Sequence, residues 1–424
     1  MDATIKSFKA LIFFIVLLML FFMAEAGYAI SFELQQTFYH PSQTTGASFG
    51  NSFATVGDNI LIGSWDDDTG ANDAGAAYLF GQDGNLIQTF LNPTPDITDR
   101  FGRTVAAVGN NVLIGAYLDD TNGKDTGIAY LFDSSTGELL HTFTNPTPQA
   151  DDQFGFSVAS VGTKVLISAE VDDTTGPDDG AVYMFDGDPQ SSSFGNLLHT
   201  FTNPTPGTRG LFGISVAEIN NNILIGAYLD DTAGTDTGTA YLFDTSGNLL
   251  QTFTNPSPDA LDQFGNAVSN VGNNILIGAL GDDSAASDAG AAYLFDMDGN
   301  LLQTYLNPDA EPGYLFGGAV EGYGDYALIG GNLNDGTGNN IGAVYLFDSF
   351  GDILYTFENP TAYPDDYFGC AIETFGDNIL IGSAGENEAY LFRPAAESVP
   401  IPSTMLLLCS GLIGLVGIKK NYPS

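Results

Sequence analysis

Residues 101–148 read FGRTVAAVGNNVLIGAYLDDTNGKDTGIAYLFDSSTGELLHTFTNPTP, and versions of this stretch fill most of the chain. Each version opens with Phe-Gly, and its apolar runs alternate with short turns rich in Gly, Asn and Asp. A unit of about 52 residues, repeated, indicates one large repeat architecture rather than several unrelated domains. The seven copies begin at Phe49, Phe101, Phe154, Phe212, Phe264, Phe316 and Phe368.

The repeat predicts four antiparallel strands. Residues 101–108 form the first strand, and a tight Gly-Asn-Asn turn leads to the second at 112–116, whose unbroken Val-Leu-Ile run is typical of burial on both faces. A polar loop precedes the third strand at 128–132, and another turn leads to the fourth at 138–143. One such meander per repeat predicts an all-β, seven-bladed β-propeller of four-stranded antiparallel blades.

The two ends of the repeat series complement each other. The seventh copy stops after its third strand, at residues 389–392. Residues 33–41 (ELQQTFYHP) match 248–256 (NLLQTFTNP), which is a fourth strand. We therefore predict that residues 32–38 form the outer strand of the last blade, so that the N-terminal strand closes a propeller spanning residues 30–397.

The charge balance excludes one class of partner. The chain has 10 basic and 52 acidic residues and a formal charge of −42. Nucleic-acid binding needs clustered Lys and Arg, so it is not expected. An acidic surface concentrates cations and suits calcium or a polysaccharide-rich setting. The two cysteines, Cys370 and Cys409, provide no disulfide framework within the propeller, and Cys370 is expected to be a small buried residue.

Residues 1–29 have the features of a secretory signal peptide. Lys6 and Lys9 precede an apolar run at 10–23, and small residues suited to cleavage end at Ala26 or Ala29. These features predict export. A retained membrane anchor is the alternative, although the run is short for a bilayer span.

In residues 398–424 a Pro-containing motif precedes an apolar stretch and a basic pair. This arrangement resembles the PEP-CTERM sorting signal of Gram-negative, exopolysaccharide-producing bacteria, although Ile401 stands where that family usually has Glu. The resemblance implies processing by an exosortase-type enzyme, transient membrane association, and delivery to the cell envelope, outer surface or extracellular matrix. An ordinary C-terminal helix packed on the domain is the alternative. The matching positions are Pro400, Pro402, Ser403, Thr404, Lys419 and Lys420.

The repeats resemble the FG-GAP family, whose best-known members are the integrin α-subunit propellers. The resemblance rests on the opening Phe-Gly and on Gly-Ala at the end of the second strand, and it covers residues 30–393. It implies a propeller with binding or structural roles rather than catalysis. The calcium loop of the integrin type is replaced here by short turns such as Gly109-Asn110-Asn111, so those calcium sites are not expected.

The most regular polar feature is the loop between the second and third strands, which contains Asp-Asp and a third Asp five residues later. Three carboxylates could supply most of the oxygen ligands of a calcium ion, as a repeated structural clip. Alternatively, these aspartates accept backbone N–H groups and form turns. The residues are Asp67, Asp68 and Asp73; Asp119, Asp120 and Asp125; Asp172, Asp173 and Asp178; Asp230, Asp231 and Asp236; and Asp282, Asp283 and Asp288, with a weaker sixth copy at Asn334, Asp335 and Asn340.

Other repeated residues are interpreted as structural. The Asn-Pro segments, with an Asp two residues before the next Phe-Gly, are expected to be crossovers between blades. A tyrosine in every third strand is expected to pack between blades rather than stack on sugars. Trp65, the only tryptophan, occupies the slot of Tyr117 and Tyr228 and is expected at the rim, with ligand stacking as the alternative.

The sequence contains no strong catalytic motif. His141 and His199 occupy a strand slot that holds Gln in other repeats, and no Ser-His-Asp, Cys-His or phosphate-loop pattern is present. The sequence therefore favours an exported, non-catalytic propeller that serves as a binding or structural component, with polysaccharide or surface proteins as partners. The alternative is a carbohydrate-active or other hydrolytic enzyme that uses carboxylates on one propeller face.

Overall fold

A computed structural model describes residues 30–42, 46–207, 209–309, 312–331, 341–361 and 363–395. The predicted signal peptide and the whole sorting segment, including Pro400, Pro402, Ser403, Thr404, Lys419 and Lys420, lie outside these residues. Asn334, Asp335 and Asn340 of the sixth loop lie outside them as well. In the described ranges, no helix is long and apolar enough to cross a bilayer.

The described chain forms seven four-stranded antiparallel sheets, as predicted. Blades 1 to 6 each take four consecutive strands. These are β2 Phe49–Val56, β3 Asn59–Ser64, β4 Ala76–Gly81 and β5 Leu86–Leu91; β6 Phe101–Val108, β7 Asn111–Ala116, β8 Ile128–Asp133 and β9 Leu139–Thr144; β10 Phe154–Val161, β11 Lys164–Ala169, β12 Ala181–Asp186 and β13 Leu197–Thr202; β14 Phe212–Ile219, β15 Asn222–Ala227, β16 Thr239–Asp244 and β17 Leu249–Thr254; β18 Phe264–Val271, β19 Asn274–Ala279, β20 Ala291–Phe295 and β21 Leu301–Leu306; and β22 Phe316–Tyr323, β23 Tyr326–Gly331, β24 Ala343–Phe347 and β25 Ile353–Glu358.

Blade 7 is closed by the N-terminal strand. It contains β26 Phe368–Phe375, β27 Asn378–Ser383 and β28 Glu388–Pro394, and β1 Phe32–Tyr39 pairs antiparallel with β28. Phe38 faces Ala389 in this register and is only 1% exposed. The predicted closure is therefore confirmed.

The first strands of the blades form the inner ring of the propeller. Each contacts the first strand of both neighbouring blades, and β26 contacts β2 to complete the circle. Side chains hydrogen-bond across the blade boundaries: the Ser52 hydroxyl donates to the Gly102 carbonyl at 3.2 Å, and the Cys370 thiol donates to the Gly50 carbonyl at 3.6 Å. The fourth strands lie at the outer edge, where half of their residues are exposed.

The Phe-Gly motif is explained by this inner packing. Gly102 has φ of +86°, and an added Cβ would lie 2.3 Å from the Ala76 carbonyl oxygen of the preceding blade. Phe101 is fully buried against Tyr130 and Phe132 of its own blade. Only glycine combines that backbone conformation with that close approach.

The core consists of apolar layers between neighbouring blades. One layer joins Leu61 and Leu79 of blade 1 to Ile114 and Tyr130 of blade 2. The layer between blades 7 and 1 is equivalent, and Phe38 of the closing strand belongs to it. A single four-stranded sheet cannot bury both of its faces, so each blade depends on two neighbours.

Candidate functional site

The first aspartate of each repeated loop is a buried hydrogen-bond acceptor. Its exposure is at most 2%, and its Oδ2 accepts the hydroxyl of the third-strand tyrosine at 2.5–3.1 Å. Burial and the adjacent carboxylate raise the pKa of these tyrosines, so the hydroxyl keeps its proton and donates. The pairs are Tyr78–Asp67, Tyr130–Asp119, Tyr183–Asp172, Tyr241–Asp230 and Tyr293–Asp282.

Asp67 has an additional partner. His40 replaces the crossover Asn of other blades, and its Nε2 lies 2.6 Å from Asp67 Oδ2. Burial by itself would raise the pKa of Asp67, but hydrogen bonds from His40, Thr69 and Tyr78 together hold that pKa well below its usual range. Asp67 is therefore a charged acceptor in the interior.

The second and third aspartates of the loop form a turn. Oδ1 of the second accepts the backbone N–H of the third at 2.6–3.0 Å, and the third residue has φ between 46° and 53°. Asp, with its short polar side chain, tolerates this left-handed conformation better than most residues. The second aspartates are Asp68, Asp120, Asp173, Asp231 and Asp283, and the third are Asp73, Asp125, Asp178, Asp236 and Asp288.

The loop also joins neighbouring blades. The carbonyl of Asp125 accepts the backbone N–H of Gln153, and that of Thr126 accepts Phe154 N–H, at 3.0 and 2.9 Å. Gly127, at φ of +74°, lies against Phe154 of the next blade so closely that a Cβ would fall 2.1 Å from its carbonyl oxygen. The loop is thus a structural clip through its backbone.

These contacts fit the turn interpretation of the aspartates. Across the described ranges, no group of three or more His, Cys, Asp or Glu side chains is arranged to hold a metal ion. Calcium binding by the loops stays the untested alternative.

The crossovers between blades contain a second set of buried carboxyl groups. The crossover Asn donates to the Asp that precedes the next Phe-Gly, at 2.6–2.8 Å, and a backbone N–H donates to the same oxygen. Burial raises the pKa of these groups, to about 7 for Asp99 and Asp152 and about 6 for Asp262 and Asp366. These segments are crossovers, as predicted.

The blades differ at two slots near the inner ring. The third residue of the first strand is Asn51, Arg103, Phe156, Ile214, Asn266, Gly318 or Cys370, and the residue after the second strand is Trp65, Tyr117, Glu170, Tyr228, Leu280 or Ala384 in the described blades. The charged residues at these slots, Arg103 and Glu170, and three of the four aromatic rings therefore occur in blades 1 to 3, with Tyr228 in blade 4. The sevenfold symmetry is broken on that side.

A cavity of about 320 Å³ opens at this place, between blades 7 and 1, and Arg103 of blade 2 reaches into it. We call it the Arg103 cleft. Trp65 and Tyr367 contribute ring surface to its walls. Cys370 also lies there, half-buried rather than enclosed, and burial raises the pKa of its thiol to about 11. The lining residues are Ser48, Asn51, Trp65, Arg103, Tyr367, Cys370, Ala384 and Gly385.

Arg103 is held among aromatic rings. Its guanidinium carbon lies 5.0 Å from the ring centroid of Trp65, 4.6 Å from that of Phe156 and 6.0 Å from that of Tyr117. Guanidinium–aromatic stacking at such distances is attractive and fixes the orientation of the charged group. The side chain is thus preorganised.

The two arginines beside Trp65 differ in their charge partners. Arg100, 5.1 Å from the Trp65 centroid, forms an ion pair with Asp66. Arg103 forms no ion pair with any described residue. Its guanidinium lies within hydrogen-bond reach of Tyr117, but its buried Nε has no hydrogen-bond partner.

Glu170 is a second buried group without a full set of partners. It is 7% exposed, and its Oε2 has no hydrogen-bond partner. Burial raises the pKa of Glu170 to about 8, and the charge of Arg103 offsets this only in part. Glu170 is therefore mostly protonated at neutral pH.

Two glutamates occupy another inner-ring slot, in blades 6 and 7. Glu321 accepts the Ser269 hydroxyl at 2.8 Å and the Thr374 hydroxyl at 3.4 Å. Burial raises the pKa of Glu321 to about 7, and burial together with the charge of Glu321 raises the pKa of Glu373 further. The two carboxyl groups therefore titrate as a coupled pair.

Sequence reasoning singled out Trp65 but missed Arg103, Glu170, Glu321 and Glu373. Their signal is a charged residue in a repeat slot that is neutral in the other blades. It becomes visible only when the copies are compared slot by slot at positions that the fold brings together.

The comparisons with known proteins agree with this architecture. The FG-GAP repeat family matches residues 35–80, 96–132, 142–185, 207–243 and 250–295. Virginiamycin B lyase from Staphylococcus aureus has a similar fold, with a TM-score of 0.60 and 12% identity over 86% of this chain and 99% of the lyase. BamB from Moraxella catarrhalis has a TM-score of 0.49 and 11% identity, over 87% of this chain and 99% of BamB.

At 12% identity the lyase supports the fold alone. No protein of curated function matches the sequence. The chain is a seven-bladed β-propeller that carries FG-GAP repeats.

Proposed function

We propose that this protein is an exported, non-catalytic propeller that serves as a binding or structural component of the cell surface or exopolysaccharide matrix. The observation that carries the binding role is the Arg103 cleft. Seven closely similar blades are used as a scaffold, and one side of the inner ring departs from their pattern with an unpaired cation beside aromatic walls. Concave sites with a few convergent polar groups are the usual form of ligand sites.

Export and surface delivery are supported by the two ends of the sequence. The signal-like residues 1–29 and the sorting-like residues 398–424 both direct the propeller across the inner membrane, and the charge of −42 suits an exposed, soluble body. Exosortase-type processing would remove the tail. Polysaccharide or surface proteins are the partners of this role.

The test is fractionation of the native producer combined with intact-mass analysis. We expect a chain that lacks residues 1–26 or 1–29 and the tail, recovered with the envelope or the extracellular matrix. A full-length chain found in the cytosol would contradict the export proposal.

A hydrolytic enzyme is the second candidate, and the Glu321–Glu373 pair is the observation that favours it. Two neighbouring carboxyl groups are the arrangement used for acid and base in glycoside hydrolysis. Turnover of a polysaccharide panel that is lost in both Glu321→Gln and Glu373→Gln would establish this candidate. Glycan binding without turnover would favour the binding module.

A further inference from the structure

We propose that the Arg103 cleft binds a sugar residue that bears a single carboxylate, of the uronic-acid type, within an otherwise neutral glycan. This inference rests on the proposed binding function and adds the class of ligand.

The Arg103 guanidinium, which has no ion-pair partner among the described residues, points to an anion. Only six of the ten basic residues lie between residues 30 and 397, and two of them, Arg100 and Arg103, flank one tryptophan. Arg100 is neutralised by Asp66, whereas Arg103 has no carboxylate partner among the described residues. A guanidinium with a buried, unbonded nitrogen is costly unless it gains an acceptor. Its planar set of donors matches a carboxylate.

A further unsatisfied atom distinguishes a sugar acid from a simple anion. Asn51 donates its amide N–H to the Arg103 carbonyl at 2.7 Å, and this contact fixes the amide and leaves Oδ1 buried without a partner. That oxygen can accept a ligand hydroxyl.

The cavity and the net charge limit the size of the ligand. About 320 Å³ lies at the small end of the roughly 300–1,000 Å³ typical of ligand sites. Tyr367 adds a second aromatic side chain to the lining, beside Trp65, whose ring is already contacted by Arg100 and Arg103. A body of charge −42 repels polyanions, so an isolated acidic residue is favoured over an extended acidic polymer.

The test uses the fluorescence of Trp65, which is the only tryptophan in the chain and lines the cleft. The purified protein is titrated at pH 7 and fixed ionic strength with glucuronic and galacturonic acids. Glucose and galactose serve as neutral counterparts, and acetate, inorganic phosphate and N-acetylalanine serve as simple anions. We expect saturable changes in emission with the uronic acids, and binding about tenfold or more weaker for every other compound.

Variants assign the effect to the guanidinium. Arg103→Gln should weaken uronate binding by about tenfold or more. Arg103→Lys keeps the charge but loses the planar set of donors, so its affinity should lie between those of the unchanged protein and Arg103→Gln. Lys124→Gln is the matched control, since it removes the same charge from a side chain that is 69% exposed, and it should bind normally. Thermal melts establish that each variant is folded.

Several results would overturn the inference. Equal binding of glucose and glucuronate, or unchanged binding by Arg103→Gln, would refute the role of the carboxylate. Acetate or phosphate binding as tightly as glucuronate would show a general anion site. Tighter binding of N-acetylalanine would show that the site recognises the C-terminus of a peptide. No response to any uronate by fluorescence and calorimetry would refute the site. The localisation test addresses the proposed function separately, so the two failures are distinguishable.

Discussion

The tyrosine and aspartate that recur in the blades act as one unit at the scale of single residues. The tyrosine was expected only to pack, and the aspartate only to form a turn or bind calcium. In the fold, the ring fills the layer between blades while its hydroxyl satisfies a carboxylate that is almost fully buried. A buried charge of this kind is tolerated only with such donors.

Tyr183→Phe tests this pairing. It removes the hydroxyl that donates to Asp172 at 2.7 Å but keeps the ring. We expect a loss of about 1–3 kcal/mol in the free energy of unfolding, because a buried acceptor loses a donor. Urea denaturation measures it. Tyr363→Phe, at a residue 58% exposed, is the control and should be neutral, and equal effects of the two changes would contradict the assignment.

The roles of the repeated residues could be predicted from the sequence, but those of residues that occur in only one blade could not. Phe-Gly, the loop aspartates and the crossovers are visible because seven copies show them in one register. Arg103 and Glu170 each occur once in their slot, and their significance depends on proximity between blades. Sequence spacing within one repeat does not report that proximity.

At the scale of elements, the closing strand is the most consequential one. β1 supplies the fourth strand of blade 7 and places Phe32 and Phe38 in the core, 7% and 1% exposed. The sequence predicted it because a missing strand at one end matched an extra strand at the other. Strand boundaries agreed within one or two residues, since Gly and Asn turns mark them.

Removal of residues 31–40 should lower the melting temperature sharply, because blade 7 would lose a strand and expose the layer beneath it. The milder variant Phe38→Ala should cost about 3–5 kcal/mol. Leu34→Ala, at a residue 42% exposed in the same strand, is its control and should cost much less. An unchanged melt after the deletion would refute closure by β1.

The polar loop is the second element with a testable role. In the loop of blade 2, Asp120 accepts the Asp125 N–H, and Asp119 accepts the Tyr130 hydroxyl and the Thr121 N–H. Because these carboxylates already have donors, we expect millimolar calcium to leave the melting temperature unchanged. Calorimetric titration and thermal scans measure this. Binding heat with a raised melting temperature, both lost in Asp120→Asn, would instead establish the calcium clip.

At the scale of the whole molecule, the carboxyl groups set the dependence of stability on pH. The crossover aspartates have a folded-state pKa above the unfolded value of about 3.9, so the folded state binds more protons between these values. Their contribution is fully present below about pH 4 and is lost as the pH rises to about 7. The groups are Asp99, Asp152, Asp262 and Asp366.

We therefore expect a higher melting temperature at pH 5 than at pH 8, measured at fixed ionic strength. The fall in the net negative charge acts in the same direction. Asp67, whose pKa is depressed, acts oppositely but only below about pH 4. The double variant Asp99→Asn and Asp152→Asn should flatten the profile, and a melting temperature that rises from pH 5 to pH 8 would contradict this account.

The pairing of the first strand with the last also sets the order in which the molecule can assemble. β1 leaves the ribosome before any other strand of the propeller, yet its partner β28 emerges after all the other blades. A chain cut short anywhere before β28 leaves β1 unpaired and its last blade uncovered on one face. The ring therefore distinguishes complete propellers from incomplete ones, since only a chain that includes β28 can pair its first strand.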